Sequence, residues 1–436
     1  LKIYDEKENQ NNNKRKLRFF IQNNERGITS LSKKESQEFI NRISNLRDEA
    51  SSIYQKILNS NPIDFKNKNH IKVIEEVVYQ FQDYSFVRSE KTDLYQLVFY
   101  KFATPFSKEQ KSQFLTPLPI INFLVDILNP RGSETILDPT VGIADFLSVS
   151  FVNSQSKLDD NNIFGIDIDN QMIMLATLNM LLNGDGNATL FAEPEPGSIL
   201  SKFDNEDQLI QLLPDFNMEG NWDNRPDGKK LKKFDVILTN PPFGEDRAFE
   251  PKNEHELSII KCYETWDLYG GRKIDLGIVF LENAYHSLKE DGRLGIVISN
   301  SIASIDSHAK AREWLMKKMR IVGIFDLPSN IFAEVGVPTT LLVAYKPKKS
   351  ELHNLQEKNY EVFSKSIERV GYEVKTSKRV KYFSNIYKIN KKSFEIEINE
   401  DGSPKLDEDF SETKQEFKEW CLSQEQKIKE LFIDKK

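Results

Sequence analysis

Asn240-Pro241-Pro242-Phe243 follows directly on an apolar run, Phe234-Asp235-Val236-Ile237-Leu238-Thr239. The run has the length and composition of a buried strand. In an open α/β sheet ligands bind beyond the carboxyl ends of the strands, so the tetrapeptide falls where chemistry is expected. Two successive prolines fix φ and remove two backbone donors, while their carbonyls can still accept. Asn240 adds a side-chain carbonyl acceptor, and Phe243 adds a flat apolar face. Two acceptors converging beside an aromatic plate suit a planar base that carries an –NH2 group. A rigid turn at a strand end would also account for Pro241 and Pro242, but not for Asn240 and Phe243 on either side of them.

A second constellation precedes the first. Thr135-Ile136-Leu137-Asp138-Pro139-Thr140-Val141-Gly142 reads as a strand, an acid at its end and a tight turn into the helix that opens near Asp145. An acid followed by a small-residue turn is how such sheets hold the amino-acid or nucleotide part of a cofactor, although a single glycine is a thin signal. Some 25 residues on, Phe164-Gly165-Ile166-Asp167-Ile168-Asp169 ends the next strand. An acid there can accept from both ribose hydroxyls, and either acid can instead cap the following helix. Asp167 is assigned to ribose and Asp169 to the cap. Upstream, Gln113-Phe114-Leu115-Thr116-Pro117 places a hydroxyl and a proline at a helix start, a natural anion site and also an ordinary cap.

These motifs need elements to position them. From about residue 117, strand candidates at Thr135–Leu137, Asn162–Ile166, Ala188–Phe191, Phe234–Thr239, Arg293–Ile298, Ile321–Phe325 and Thr340–Tyr345 are interleaved with helical patterns. The helices fall at Leu118–Leu128, Asn170–Leu182, Leu276–Leu288 and Ala309–Met319. That alternation predicts a mostly parallel sheet covered on both faces. Before it, Ser32-Lys33-Lys34-Glu35 has the form of a capping box ahead of Phe39, Ile43, Leu46, Ala50, Ile53 and Ile57, one face of a long helix. Ile71, Ile74, Val78 and Phe81 predict a second helix, and Asp93 to Phe102 a third. The expected domains are a helical region at 1–116, an α/β catalytic region at 117–346, and a charged extension at 347–436. The extension carries a terminal helix around Phe417, Trp420, Cys421 and Ile428. Two long polar segments, roughly 201–232 and 245–274, flank the Asn240 motif and read as functional loops or disorder.

Composition sets the outer bounds. The chain has 436 residues, 39% hydrophobic and 29% charged, with a net charge of −7. No apolar run is long enough for a membrane span. The first residue, Leu1, is not an initiator Met and no secretory signal pattern follows it, so a start inside a longer precursor is expected. Cys262 and Cys421 match no metal or redox spacing and read as free thiols of a cytoplasmic protein. No metal site is expected. From Lys346 to Lys392 there are 13 Lys or Arg against 5 Glu, and acids dominate from Glu395 to Glu412. The basic stretch is either a phosphate track or an unevenly charged solvated surface.

In order and spacing, these motifs resemble the N6-adenine DNA methyltransferases, most closely the modification subunit of type I restriction-modification systems. Asp291-Gly292-Arg293-Leu294-Gly295-Ile296, Asp326-Leu327-Pro328-Ser329-Asn330-Ile331-Phe332 and Gly336-Val337-Pro338-Thr339-Thr340 extend the match. The resemblance covers roughly residues 70–385. It implies a Rossmann-like, seven-stranded S-adenosylmethionine-dependent methyltransferase fold with an N-terminal helical domain and a helical C-terminal tail. It implies Asn240, Pro241, Pro242 and Phe243 as catalytic residues, and Gln113, Thr116, Asp138, Gly142 and Asp167 as cofactor-binding residues. The implied partners are double-stranded DNA, a specificity subunit and a restriction subunit. Where the family's first loop is usually richer in glycine, Ile143-Ala144-Asp145 stand here. The acid that the family often carries after its third strand has no clear counterpart in Glu193-Pro194-Glu195-Pro196-Gly197-Ser198.

Two rival readings follow from the same residues. Protein-glutamine N5-methyltransferases use a similar Asn-Pro-Pro-aromatic element, because a glutamine amide is also a planar –NH2, but their chains lack the long helical N-terminus and extended tail. A scaffold subunit without cofactor is the other, suggested by the thin glycine loop. Neither a DNA recognition sequence nor a duplicated base-reading region is apparent.

Overall fold

The computed structural model describes residues 1–12, 16–54, 58, 63–85, 116–154, 158, 160–183, 188–192, 233–242, 248–261, 263–329, 331–332, 336–357, 359–377, 380–400 and 402–433. The chain forms two compact units, one of Leu1–Thr104 with Thr177–Asp185 and one of Pro105–Ala176 with Gly186–Lys436. The expected helix over Asp93–Phe102 and the polar segment 201–232 lie outside the described residues.

The first unit is helical, with helices at Lys2–Asn11, Lys34–Ile53 and Lys68–Phe81. Phe39, Ile43, Leu46 and Ala50 are fully buried on one stripe of the long helix and pack with Ile71 and Val78. The capping box predicted at Ser32 is not formed. The helix starts at Lys34, and the Ser32 hydroxyl pairs instead with that of Ser30 at 2.8 Å. Buried acids tie the loops to this core: Asp5 accepts the backbone N–H of Phe19 at 2.8 Å, and Glu75 accepts those of Gly27 and Ile28.

The second unit is built on strands in chain order β1 (Ile136–Asp138), β2 (Ile163–Asp167), β3 (Thr189–Ala192), β4 (Phe234–Thr239), β5 (Ala248–Phe249), β6 (Ile274–Asp275), β7 (Leu288–Ser299), β8 (Arg320–Asp326), β9 (Thr339–Tyr345), β10 (Phe363–Ser366), β11 (Tyr372–Ser377) and β12 (Val380–Asn385). Eight of them form one sheet in the order β10-β8-β9-β7-β4-β1-β2-β3. All pairs are parallel except those of β9, which runs antiparallel to β7 and β8. The sheet therefore has one strand more than the seven expected. The addition is β10, which comes from the charged extension and pairs in parallel with β8, Phe363 opposite Gly323.

Side chains alternate between the faces with the period of two that strands impose. Leu137, Ile237, Leu294, Ile296 and Leu342 point into a core with Ile278, Val279 and Leu281 of the helix Leu276–Ser287 and with Trp314 and Leu315 of the helix Ala309–Lys318. On the other face, Arg293 is 2% exposed, donates to the carbonyl of Leu128 at 2.8 Å and pairs with Glu134 at 2.7 Å. Breaking a buried pair of that kind costs about 3–5 kcal/mol, because it strands a charge. Leu128 ends the helix Leu118–Leu128, which leads into β1.

The extension packs on this unit. The helix Phe410–Ser423 stacks Phe410 on Phe123 at 5.1 Å and Phe417 on Phe325 at 5.8 Å, and Trp420 lies against Phe363 and Phe417. Trp420 of the terminal helix thus packs within its own chain. Two residues of the basic stretch are paired with acids further along the chain. Lys365 pairs with Glu416 at 2.7 Å, and Arg369 with Asp407 at 2.9 Å and Asp409 at 2.5 Å. The described part of the polar segment 245–274 is not a plain loop. It forms the β5–β6 ladder and helices at Glu254–Ile260 and Glu264–Leu268, with Trp266 1% exposed. Among the described residues no helix is long and apolar enough to cross a membrane.

Candidate active site at the sheet's switch point

The strand order runs 3-2-1 to one side and 4-7 to the other, so it reverses between β1 and β4. Crossovers that leave in opposite directions open a crevice at that point, beyond the carboxyl ends of the two strands. Asp138 ends β1 and Asn240 follows β4. The two motifs read from the sequence therefore face one crevice.

On the β1 side, Asp138 is 2% exposed. Burial pushes its carboxyl up to about 7, against opposing hydrogen bonds from the Thr140 backbone and the Thr239 side chain. The Thr140 and Thr239 hydroxyls share a hydrogen bond of 2.6 Å. Asp138, Thr140 and Thr239 thus knot the loop after β1 to the last residue of β4, directly before Asn240. Neither threonine was singled out from sequence. The signal available was only that Thr239 closes an otherwise aliphatic strand.

The loop itself is held from β2. Val141 donates its backbone N–H to the Ile166 carbonyl at 2.9 Å, and Gly142 donates to the Asp167 carboxylate at 2.9 Å. Gly142 takes φ +50, and a Cβ built there meets nothing within 4 Å, so the backbone is open on that side. Ala144 takes the left-handed conformation at φ 64 and precedes the helix Asp145–Asn153. A glycine would adopt it without the roughly 1–2 kcal/mol that a Cβ adds. Where the family is richer in glycine, an alanine here holds a backbone conformation that glycine favours.

Asp167 is half-buried, and burial raises its carboxyl, opposed by the backbone N–H groups of Asp169 and Gly142. The Asp169 side chain accepts from the backbone of Gln171 at 2.7 Å, an Asx turn at the start of the helix Asn170–Leu182. Ile168, between the two acids just after β2, is a large apolar side chain left 58% exposed.

On the β4 side, the Asn240 amide donates through Nδ2 to the Thr116 hydroxyl at 2.9 Å. Its Oδ1 is buried and has no hydrogen-bond partner. Pro241 is buried and Pro242 half-buried. Gln113 and Phe243 lie outside the described residues, as does Cys262. The structure thus brings Thr116 to Asn240, and Asp138, Gly142 and Asp167 to one another. Elsewhere, Glu264, Glu282 and His286 place ligand atoms within 4.8 Å of one another. Their oxygens are already used: Glu282 accepts from Thr265 and Glu264, and Glu264 accepts from Lys318 and Trp314.

The profile of the N-6 DNA Methylase family matches residues 90–409. The chain belongs to that family. It is similar to the type I restriction enzyme StySJI methylase subunit of Salmonella typhimurium, 26% identical over 353 residues, covering 76% of this chain and 55% of that one. It is also similar to the EcoKI methylase subunit of Escherichia coli K12, 26% identical over 331 residues, covering 71% and 52%. Among solved structures, the type I restriction-modification system methyltransferase subunit from Streptococcus thermophilus aligns with TM-score 0.48 and 17% identity, over 71% of this chain and 63% of that one. The chain spans about half the length of the curated relatives it matches.

The cofactor of this N-6 DNA Methylase chain is S-adenosylmethionine, and the crevice suits it. Gly142 offers an open backbone, Asp167 a carboxylate at the end of β2, and Ile168 an exposed apolar face. Asn240 offers a buried acceptor that no described residue satisfies. An unsatisfied buried acceptor costs about 1–3 kcal/mol, and such groups in native sites call for an outside partner.

Proposed function

We propose that the chain transfers a methyl group from S-adenosylmethionine to the N6 amino group of adenine in double-stranded DNA, as the modification subunit of a type I-like restriction-modification system. The observation that carries this reading is the orphaned Oδ1 of Asn240 beside the Pro241 carbonyl at the switch point. Adenine's amino group is a paired donor that fits two such acceptors.

S-adenosylmethionine supplies a methyl group already activated on a sulfonium, so the chain's own residues have to bind, orient and polarise. Asp167 accepts from ribose hydroxyls, while the Gly142 backbone and Asp138 shape the adjacent wall. Gln113 and Thr116 serve at the amino-acid end. The target base is rotated out of the duplex to reach the crevice. Asn240 Oδ1 and the Pro241 carbonyl accept from the amino group and so raise electron density on its nitrogen as positive charge develops there. Phe243, after the rigid Pro241-Pro242 pair, stacks on the base. Residues 117–346, with Gln113 and Thr116 just before them, carry this chemistry, and the rest of 1–116 and the region 347–436 flank it.

A separate specificity subunit supplies sequence recognition, and a restriction subunit completes the system. The net charge of −7 and the internal pairing of Lys365 and Arg369 support dependence on a partner for tight DNA binding. The test is to sequence modified bases in DNA from cells expressing the chain with and without its genomic neighbours. N6-methyladenine at one fixed sequence, only when a specificity subunit is co-expressed, is the expected result. Label from S-adenosylmethionine appearing in protein and not DNA would return the reading to a glutamine methyltransferase.

A further inference from the structure

We propose that Thr116 is a positioning residue for methyl transfer, whose hydroxyl holds the Asn240 carboxamide in the orientation that presents Oδ1, and not Nδ2, to the amino group. The inference rests on the function proposed above and assigns Thr116 a task beyond the cofactor.

A carboxamide is nearly symmetric in shape but opposite in polarity at its two ends. Turned one way, Asn240 offers an acceptor to an incoming –NH2. Turned the other way, it offers two donors and repels the group it should polarise. Shape alone does not choose between them. In the structure the donor end is committed: Nδ2 gives a hydrogen to Thr116 Oγ1 at 2.9 Å, and Oδ1 is left buried and unpaired. A hydroxyl can accept from Nδ2 or donate to Oδ1; in the structure it accepts, and that contact sets which end of the amide is left to meet an incoming group.

Thr116 is well placed to hold that orientation. It is 8% exposed and stands 124 residues upstream of Asn240. Pro117 follows it with a ring-fixed φ and opens the helix Leu118–Leu128, most of whose side chains are in the core. The hydroxyl therefore hangs on a rigid element of the same compact unit.

The experiment is a rate-and-affinity cycle on the methylating complex, with single-turnover transfer of a radiolabelled methyl group to DNA and calorimetric binding of S-adenosylmethionine to each variant. Thr116→Val should slow transfer about tenfold, as expected for loss of one orienting hydrogen bond. The rate is read at saturating S-adenosylmethionine, so that any weakening of the cofactor's amino-acid end by the same variant does not enter it. Thr116→Ser, which keeps the hydroxyl, should restore the rate. Thr116→Ala serves the same purpose if the valine variant does not fold. In an Asn240→Ala background, Thr116→Val should add no further loss. A valine variant that weakens cofactor binding at unchanged rate, or one whose loss persists in full without Asn240, overturns the proposal. A wild-type rate for Asn240→Ala alone instead overturns the active-site reading beneath it.

Discussion

The Asp167 carboxylate reaches from the end of β2 to the Gly142 backbone N–H at 2.9 Å, and its second oxygen accepts from Asp169 N–H at 2.9 Å. Asp167 therefore sets the path of the loop as well as offering lone pairs to a ligand. Asp167→Ala is expected to raise the S-adenosylmethionine dissociation constant ten- to a hundredfold, from about 1.5–3 kcal/mol per charge-assisted bond lost, moderated by water. Titration calorimetry reads this directly. An unchanged constant would leave Asp167 with the loop alone.

Asn240→Ala separates chemistry from cofactor binding. Removing an oriented acceptor at a developing charge lowers transfer by about 10²–10³. Cofactor affinity should hardly move, because the Asn240 side chain lies on the β4 side of the crevice, apart from the Gly142–Asp167 pair. Steady turnover at the wild-type rate would place the active site elsewhere.

Asp138 makes stability depend on pH. Its carboxyl is raised to about 7 from 3.8, so between those values the folded state holds a proton that the unfolded state has released. Stability contributed by this group is accordingly present at low pH and lost as pH rises through that window. Asp138→Asn, neutral throughout, should lose less stability than the wild type between pH 4 and 7, the difference growing by at most ~4 kcal/mol and levelling off above. Urea unfolding of both proteins across that range checks it. Parallel pH profiles would show that Asp138 titrates normally.

Gly165 faces the cofactor loop from within β2. A Cβ there would stand 2.6 Å from Val141 Cγ2 and 2.8 Å from Leu190 Cδ2. Gly165→Ala is expected to cost about 1–3 kcal/mol by overpacking. Adding Val141→Ala, which removes the nearest atom, should recover part of that cost and give a favourable coupling energy. Strict additivity of the two changes would mean that the loop does not press on β2.

What could be read in advance was whatever announces itself locally. β4 is a mostly apolar run that leads through Asn240 into two prolines, and Asp138 and Asp167 are acids at strand ends, so the strands and their carboxyl ends followed from neighbouring residues. The knot of Asp138, Thr140 and Thr239 and the grip of Thr116 on Asn240 join residues about a hundred apart, and a hydroxyl looks the same whether it faces water or an amide. Charge along the chain was ambiguous for a related reason. The run from Lys346 to Lys392 is basic along the chain, yet folding brings Asp407, Asp409 and Glu416 onto Arg369 and Lys365. β10 escaped notice because Phe363-Ser364-Lys365-Ser366 has a single apolar residue.

That inconspicuous strand governs how the molecule behaves in company. Without it, β8 would end the sheet with a bare row of amide and carbonyl groups, flanked by Ile321, Phe325 and Leu341, a template on which a second chain can stack. β10 occupies that row, and its own outer rim is short, polar and marked by a lysine. Cutting the gene after the last catalytic strand, as a domain-trimming strategy would suggest, should therefore yield a protein that self-associates into insoluble material rather than a smaller enzyme.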